Sequence, residues 1–119
     1  MIRLVIAPRA RRDIDTILLE SAGGFGELVA DRYRRLIGQA LRDLESDPDR
    51  LGVKQRLDLP AGIETYHLRH SRGRTGVEQV RRPRHLLVLR REPERLVLIR
   101  VLHDAMDLVR HLDEPGTEP

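Results

Sequence analysis

The sequence predicts an α+β fold in which a helical hairpin packs on one face of a mostly antiparallel sheet. Three observations carry this reading. The pattern has period two at Ile2, Leu4 and Ile6, and again at Tyr66, Leu68 and His70, as in strands with one covered face. Between these stretches Val29, Tyr33, Leu36, Ile37, Ala40, Leu41 and Leu44 recur at spacings of three and four, the stripe of a helix. Finally, two apolar runs, His85 to Leu89 and Arg95 to Leu102, flank the short polar turn Arg91-Glu92-Pro93-Glu94, the signature of a β-hairpin.

Each element follows in order. A first strand spans residues 2 to 7 and stops at Pro8, which has no amide to give a ladder. The fixed φ of Pro8 suits a first helical turn, so a helix opens there, with Ala10, Ile14, Ile17 and Leu18 on one stripe, and runs to about Ser21. Gly23, Gly24 and Gly26 supply the turn into the second, longer helix, which Asp47-Pro48-Asp49 closes. This glycine cluster leads from helix to helix and lacks a Gly-Lys-Ser/Thr sequel, so it is no phosphate loop. A link through Leu51, Val53, Leu57, Leu59 and the turn Pro60-Ala61-Gly62 leads to a strand over about 63 to 70. The hairpin then forms the centre of the sheet, and Asp104 offers a cap to a short helix bearing Ala105, Met106, Leu108, Val109 and Leu112. The sum is a two-layer α+β arrangement: an N-terminal strand, a helical hairpin, a three-stranded antiparallel sheet and a short C-terminal helix. Residues 1–112 are expected to form a single domain, and 113–119 a flexible tail.

Composition narrows the function classes. Hydrophobic residues at 39% are too many for a disordered chain, and charged residues at 34% interrupt every stretch that could span a bilayer, so no membrane association is expected. The lack of cysteine, and a start that runs directly into Ile2-Arg3-Leu4-Val5-Ile6, suggest a cytoplasmic protein. Phe25, Tyr33 and Tyr66 are the only aromatic residues, which leaves almost nothing to stack exposed bases and argues against a dedicated RNA-binding sheet.

Charge is unevenly placed. The chain carries +3, and because Asp113, Glu114 and Glu118 lie in the tail, residues 1–112 carry +6. Residues 8 to 47 hold seven Arg against eight acids, the mixture of solvated helix faces. Residues 69 to 100 hold ten Arg against Glu78, Glu92 and Glu94, a local +7, so the basic surface belongs to the sheet side. Arg69, Arg72, Arg74, Arg81, Arg82, Arg84 and Arg100 are the candidate contacts to an acidic partner. No catalytic residue, metal or cofactor is expected. His67 and His70, three apart on a strand, should point to opposite faces, no cysteine is available as a zinc ligand, and no serine sits in a Gly-x-Ser-x-Gly turn. Metal-free RNA cleavage stays open in principle, since it needs only a base, an acid and phosphate-holding Arg, which His67, His70, His85 and His103 with the Arg residues could supply.

The opening Leu4-Val5-Ile6-Ala7-Pro8-Arg9-Ala10, with Asp13 and Ile14, and above all the ending Ile99-Arg100-Val101-Leu102-His103-Asp104-Ala105-Met106-Asp107-Leu108-Val109-Arg110-His111-Leu112, resemble ParE toxins of the RelE/ParE superfamily. The ending looks like the ParE signature, a hydrophobic strand running into His-x-x-Arg/Met-Asp, here His103, Asp104, Met106 and Asp107, with Met106 where Arg is frequent. The resemblance covers about residues 3 to 112, and an enlarged basic loop from Ser71 to Arg84 departs from the common pattern. It implies the toxin of a type II toxin-antitoxin pair that poisons DNA gyrase and is neutralised by a cognate antitoxin, with no sequence-specific nucleic-acid binding by the toxin alone. Two alternatives are a ribosome-dependent mRNA endonuclease of the RelE kind, often marked by a Tyr near the C-terminus where this chain has none after Tyr66, and an inactive antitoxin-binding scaffold.

Overall fold

A computed structural model describes residues 2–73 and 80–112. Strand β1 (Arg3–Ile6) leads into helices α1 (Pro8–Phe25) and α2 (Glu27–Ser46). Strands β2 (Lys54–Gln55) and β3 (Ile63–His67), a 3-10 turn (Leu68–Ser71), β4 (His85–Arg91), β5 (Arg95–His103) and helix α3 (Leu108–His111) follow. The sheet has five strands in the order β1-β5-β4-β3-β2. β1 pairs with β5 in parallel, and every other pairing is antiparallel, so the predicted hairpin does stand at the centre.

Four local expectations change. β2 was not foreseen because two exposed residues show no period. α1 continues through Gly23 and Gly24 to Phe25, so the hairpin turns on Gly26 alone, whose φ of 93° is the left-handed conformation that favours glycine. β3 ends at His67, because its ring Nδ1 accepts the Arg69 amide and starts the 3-10 turn that carries Leu68 and His70. Asp104 does not cap a helix; Asp107 does, its Oδ1 accepting the Val109 amide at 3.1 Å, and α3 is correspondingly short. The proposed tail, 113–119, lies outside the described residues.

The apolar pattern explains the layering. On one face Tyr33, Leu36, Ile37, Ala40 and Leu44 of α2, with Ala10 of α1, meet Tyr66, Leu87, Leu89, Leu96, Leu98 and Val101 of the sheet. On the other, Val88, Val97, Ile99 and Leu102 are covered by Leu59, Ile63 and Leu108. β5 is therefore buried on both sides, which is why its sequence reads as a continuous apolar run instead of an alternation. No helix among the described residues is long and apolar enough to cross a membrane.

Buried polar groups lock the layers together. Asp13 of α1 accepts Nε and Nη2 of Arg100 at 2.8 and 3.1 Å and the backbone amide of Val101 at 2.9 Å. Arg100 Nη1 donates to the carbonyl of His111 at 2.7 Å, so one guanidinium joins α1, β5 and α3. Asp43 of α2 holds the 3-10 turn in a similar way: Ser71 Oγ donates to it at 2.7 Å, Arg50 lies 3.1 Å away, and Tyr66 donates its hydroxyl to Ser71. Arg91 of β4 joins Glu64, the carbonyl of Pro48 and Asp49, fixing the link after α2 to the sheet.

Removing one partner of a buried pair leaves an uncompensated charge, a loss of about 3–5 kcal/mol. Asp13→Asn is expected to lower the unfolding free energy measured in urea by roughly that amount with an unchanged slope, whereas Asp15→Asn, on the exposed face of α1, should shift stability by less than about 0.5 kcal/mol. Equal midpoints for the two variants would remove Asp13 from its place as the layer lock.

Candidate functional site

Strand register gathers chemistry at one end of the sheet. His85 opens β4 directly opposite His103 at the end of β5, and His67 closes β3 opposite Leu86. The His85 and His103 rings meet edge to face with centroids 5.5 Å apart, and Tyr33 of α2 makes a similar contact with His85.

Hydrogen bonds engage these rings. Tyr33 Oη accepts the Arg84 amide at 3.2 Å and shares a hydrogen bond with His85 Nδ1 at 2.6 Å. Burial first, then the neighbouring His103, pushes the His85 pKa down to about 4, and burial pushes Tyr33 up to about 12. At His67 the tautomer is set by its partners. Its Nδ1 accepts the Arg69 amide, so Nε2 donates to Asp104 Oδ2 at 3.0 Å. That bond, with Arg84 and His103 nearby, holds the Asp104 carboxyl below the usual range.

Two hollows flank the segment that enters β4. One, about 520 Å³, is lined by Arg69, Arg72, Arg81, Arg82 and Arg84, with His67, His70, Pro83 and Asp104. The other, about 350 Å³, is mainly apolar: Ile17, Phe25, Val29, Tyr33 and Val80 line it together with Glu20, Ser21, Arg82, Arg84 and His85.

A ParE toxin family model, described as "ParE toxin of type II toxin-antitoxin system, parDE", matches residues 4–108. The chain belongs to the ParE toxin family. Among solved structures, a chain from the chromosomal ParDE TA system from P. aeruginosa superposes with a TM-score of 0.65 at 17% identity, over 87% of this chain and 96% of that one, and shares its fold. No curated protein sequence matches.

In this ParE toxin the candidate residues divide. Arg69, Arg72, Arg81, Arg82 and Arg84 are exposed and converge on the basic hollow, while Arg74 lies outside the described residues. Arg100 does not belong with them. It is 2% exposed and committed to Asp13, because a central strand buried on both faces cannot present a side chain to a partner. Arg90 and Arg95 pair with Glu92, and Arg91 with Glu64, so the +7 counted from sequence contracts to the end of the sheet. Of the signature residues, His103 and Asp104 sit beside the His85 and His67 rings, Asp107 caps α3, and Met106 is exposed. His67 and His70 border the same hollow instead of opposite faces, since the chain leaves the sheet between them. Sequence reasoning missed Tyr33 as the partner of His85. Its position in an apolar helix stripe gave it the look of core, and nothing local told where its hydroxyl points.

The His85 shift has a sign. The folded value lies below the ordinary 6.5, so the unfolded chain takes up the proton first as pH falls. Stability from this group is complete above about pH 6.5 and is lost toward pH 4. In an NMR titration His85 should stay neutral to near pH 4; a midpoint near 6.5 in the unaltered chain would refute the burial of the ring as the cause of the shift.

Proposed function

We propose that this ParE toxin acts stoichiometrically by binding DNA gyrase, and that a cognate antitoxin neutralises it through the apolar groove beside α1 and α2. The groove is the observation that carries the antitoxin half. Phe25 stands 77% exposed at its edge and Leu28 64% exposed nearby, an apolar display suited to a helix that folds on binding and seats anchors at helical spacing. Arg82 and Arg84 at the rim favour an acidic flank on that helix.

The gyrase half rests on family resemblance and on how the imidazoles are used. His85 is neutral and bonded to Tyr33, His67 is bonded to Asp104, and His103 Nδ1 accepts the Ala105 amide at 3.1 Å. Such engaged rings make a poor acid-base pair, which supports action by binding. The position of His67 and His70 in the arginine-lined hollow favours mRNA cleavage as the second reading.

Purified gyrase mixed with the chain is expected to lose supercoiling and accumulate cleaved DNA, with recovery on adding the antitoxin. Cleavage of ribosome-bound mRNA with gyrase untouched would transfer the protein to the second reading, and silence in both assays would leave an antitoxin-binding scaffold. Phe25→Ala is expected to weaken antitoxin binding by roughly tenfold or more without changing the melting temperature, since the ring is exposed in the free chain. Unchanged affinity in a calorimetric titration would move the antitoxin elsewhere.

A further inference from the structure

We propose that the basic hollow binds the sugar-phosphate backbone of duplex DNA directly, without reading its sequence. This goes beyond the identity of the protein target, since it concerns the chain and DNA alone.

The first argument is the state of the arginines. Arg69 and Arg72 come from the turn after β3, and Arg81, Arg82 and Arg84 from the segment entering β4. Among the described residues, no carboxylate forms an ion pair with Arg69, Arg72, Arg81 or Arg82, while Arg90, Arg91, Arg95 and Arg100 are all neutralised. Arg72 donates Nε to the carbonyl of Val80 at 2.7 Å, which braces the side chain from the inside while it remains exposed. Arg84 is 57% exposed, and its nearest carboxylate, Asp104 Oδ1, is 3.7 Å from Nε. Among the described residues Asp104 is the one acid lining the hollow, and it is shared with His67. Guanidinium groups in this state offer forked donors to phosphate oxygens.

The second argument separates nucleic acid from an acidic peptide. A folding peptide needs apolar anchors, and among the described residues Pro83 is the only apolar one lining this hollow; the anchors lie in the neighbouring groove instead. A polyanion with charge at regular intervals needs none, because release of its counterions supplies the binding free energy.

The third argument sets the mode. Tyr33 and Tyr66 are buried, and Phe25 lines the other groove, so among the described residues no Phe or Tyr ring lines the hollow to stack an unpaired base. Contacts are to the backbone, and a duplex, with its higher charge density, is the better partner.

The test is fluorescence anisotropy of the purified chain with a short mixed-sequence DNA duplex. We expect a Kd on the order of 10⁻⁴ to 10⁻⁶ M at moderate salt, independent of sequence, and a salt slope equivalent to about three to five phosphates. The double variant Arg81→Glu/Arg82→Glu should weaken binding by about tenfold or more, while Arg11→Glu/Arg12→Glu, the same charge change on exposed α1, should weaken it by about twofold or less. Absence of binding by the unaltered chain, equal losses in both variants, or displacement of the duplex by poly-glutamate as readily as by unlabelled DNA would overturn the proposal. Should the groove variant lose its melting transition, phenylglyoxal modification of the unaltered chain decides instead. DNA must then shield Arg81, Arg82 and Arg84, and undiminished labelling counts against it.

Discussion

Asp13 lies where α1 crosses β5, and a carboxylate so placed has lost nearly all of its water. Desolvation of that kind is offset only by several well-aligned donors, and Asp13 has three: both forks of Arg100 and the Val101 amide. The arrangement does more than neutralise a charge. An amide of the central strand bonded to a helix side chain sets the height of α1 along β5, and the third donor of Arg100, spent on His111, sets where α3 begins to fold back. Apolar packing alone tolerates a helix sliding by a turn; a buried pair with fixed directions does not. The end of β5 is thereby placed, and with it His103 and Asp104, so the geometry of the site depends on a contact outside it.

The arginines show how one residue type serves two tasks in one fold. Arg91 and Arg100 join elements distant in sequence, and Arg50 ties the link after α2 back to that helix, each through a buried carboxylate. Arg69, Arg81 and Arg82 have no such partner among the described residues and remain in solvent. What sorts them is position. Arginines on β4 and β5 meet carboxylates of α1, of the adjacent strand β3 and of the hairpin turn, while those on the two segments at the sheet's end converge on one hollow. Mutual repulsion between neighbouring guanidinium groups is tolerable only in water and is relieved by an anion, which ties the surface to binding and not to stability.

Periodicity made the fold legible. The α2 stripe and the continuous run of β5 name a helix that packs on a sheet and a strand buried on both sides, and the central hairpin follows. Turn chemistry was legible at Gly26, while Gly23 and Gly24 misled, since an exposed helix end accepts glycine when nothing packs on it. The site was half visible. A count of charge located the basic end, but counting cannot tell Arg100, bound to a carboxylate 87 positions earlier, from Arg84. His85, His103 and Tyr33 converge through strand pairing and a helix crossing, contacts with no signature in local sequence.

The two hollows share a wall. Arg82 and Arg84 rim the apolar groove and line the basic one, and the Arg84 amide is bonded to Tyr33 Oη, which itself faces the groove. An antitoxin helix whose acidic flank pairs with these two arginines would therefore remove two of the five guanidinium groups available to a DNA backbone, without touching Arg69, Arg72 or Arg81. Coupling between the sites then needs no conformational change, only common residues, and it must be reciprocal: DNA in the basic hollow weakens the acidic part of antitoxin binding by the same factor. The apolar anchors are insensitive to this competition, so raising salt should erode DNA binding faster than it erodes antitoxin binding. Direct competition between the proposed antitoxin helix and DNA would thus follow from where β4 begins, with Tyr33 and His85 fixing the strand end that both surfaces use.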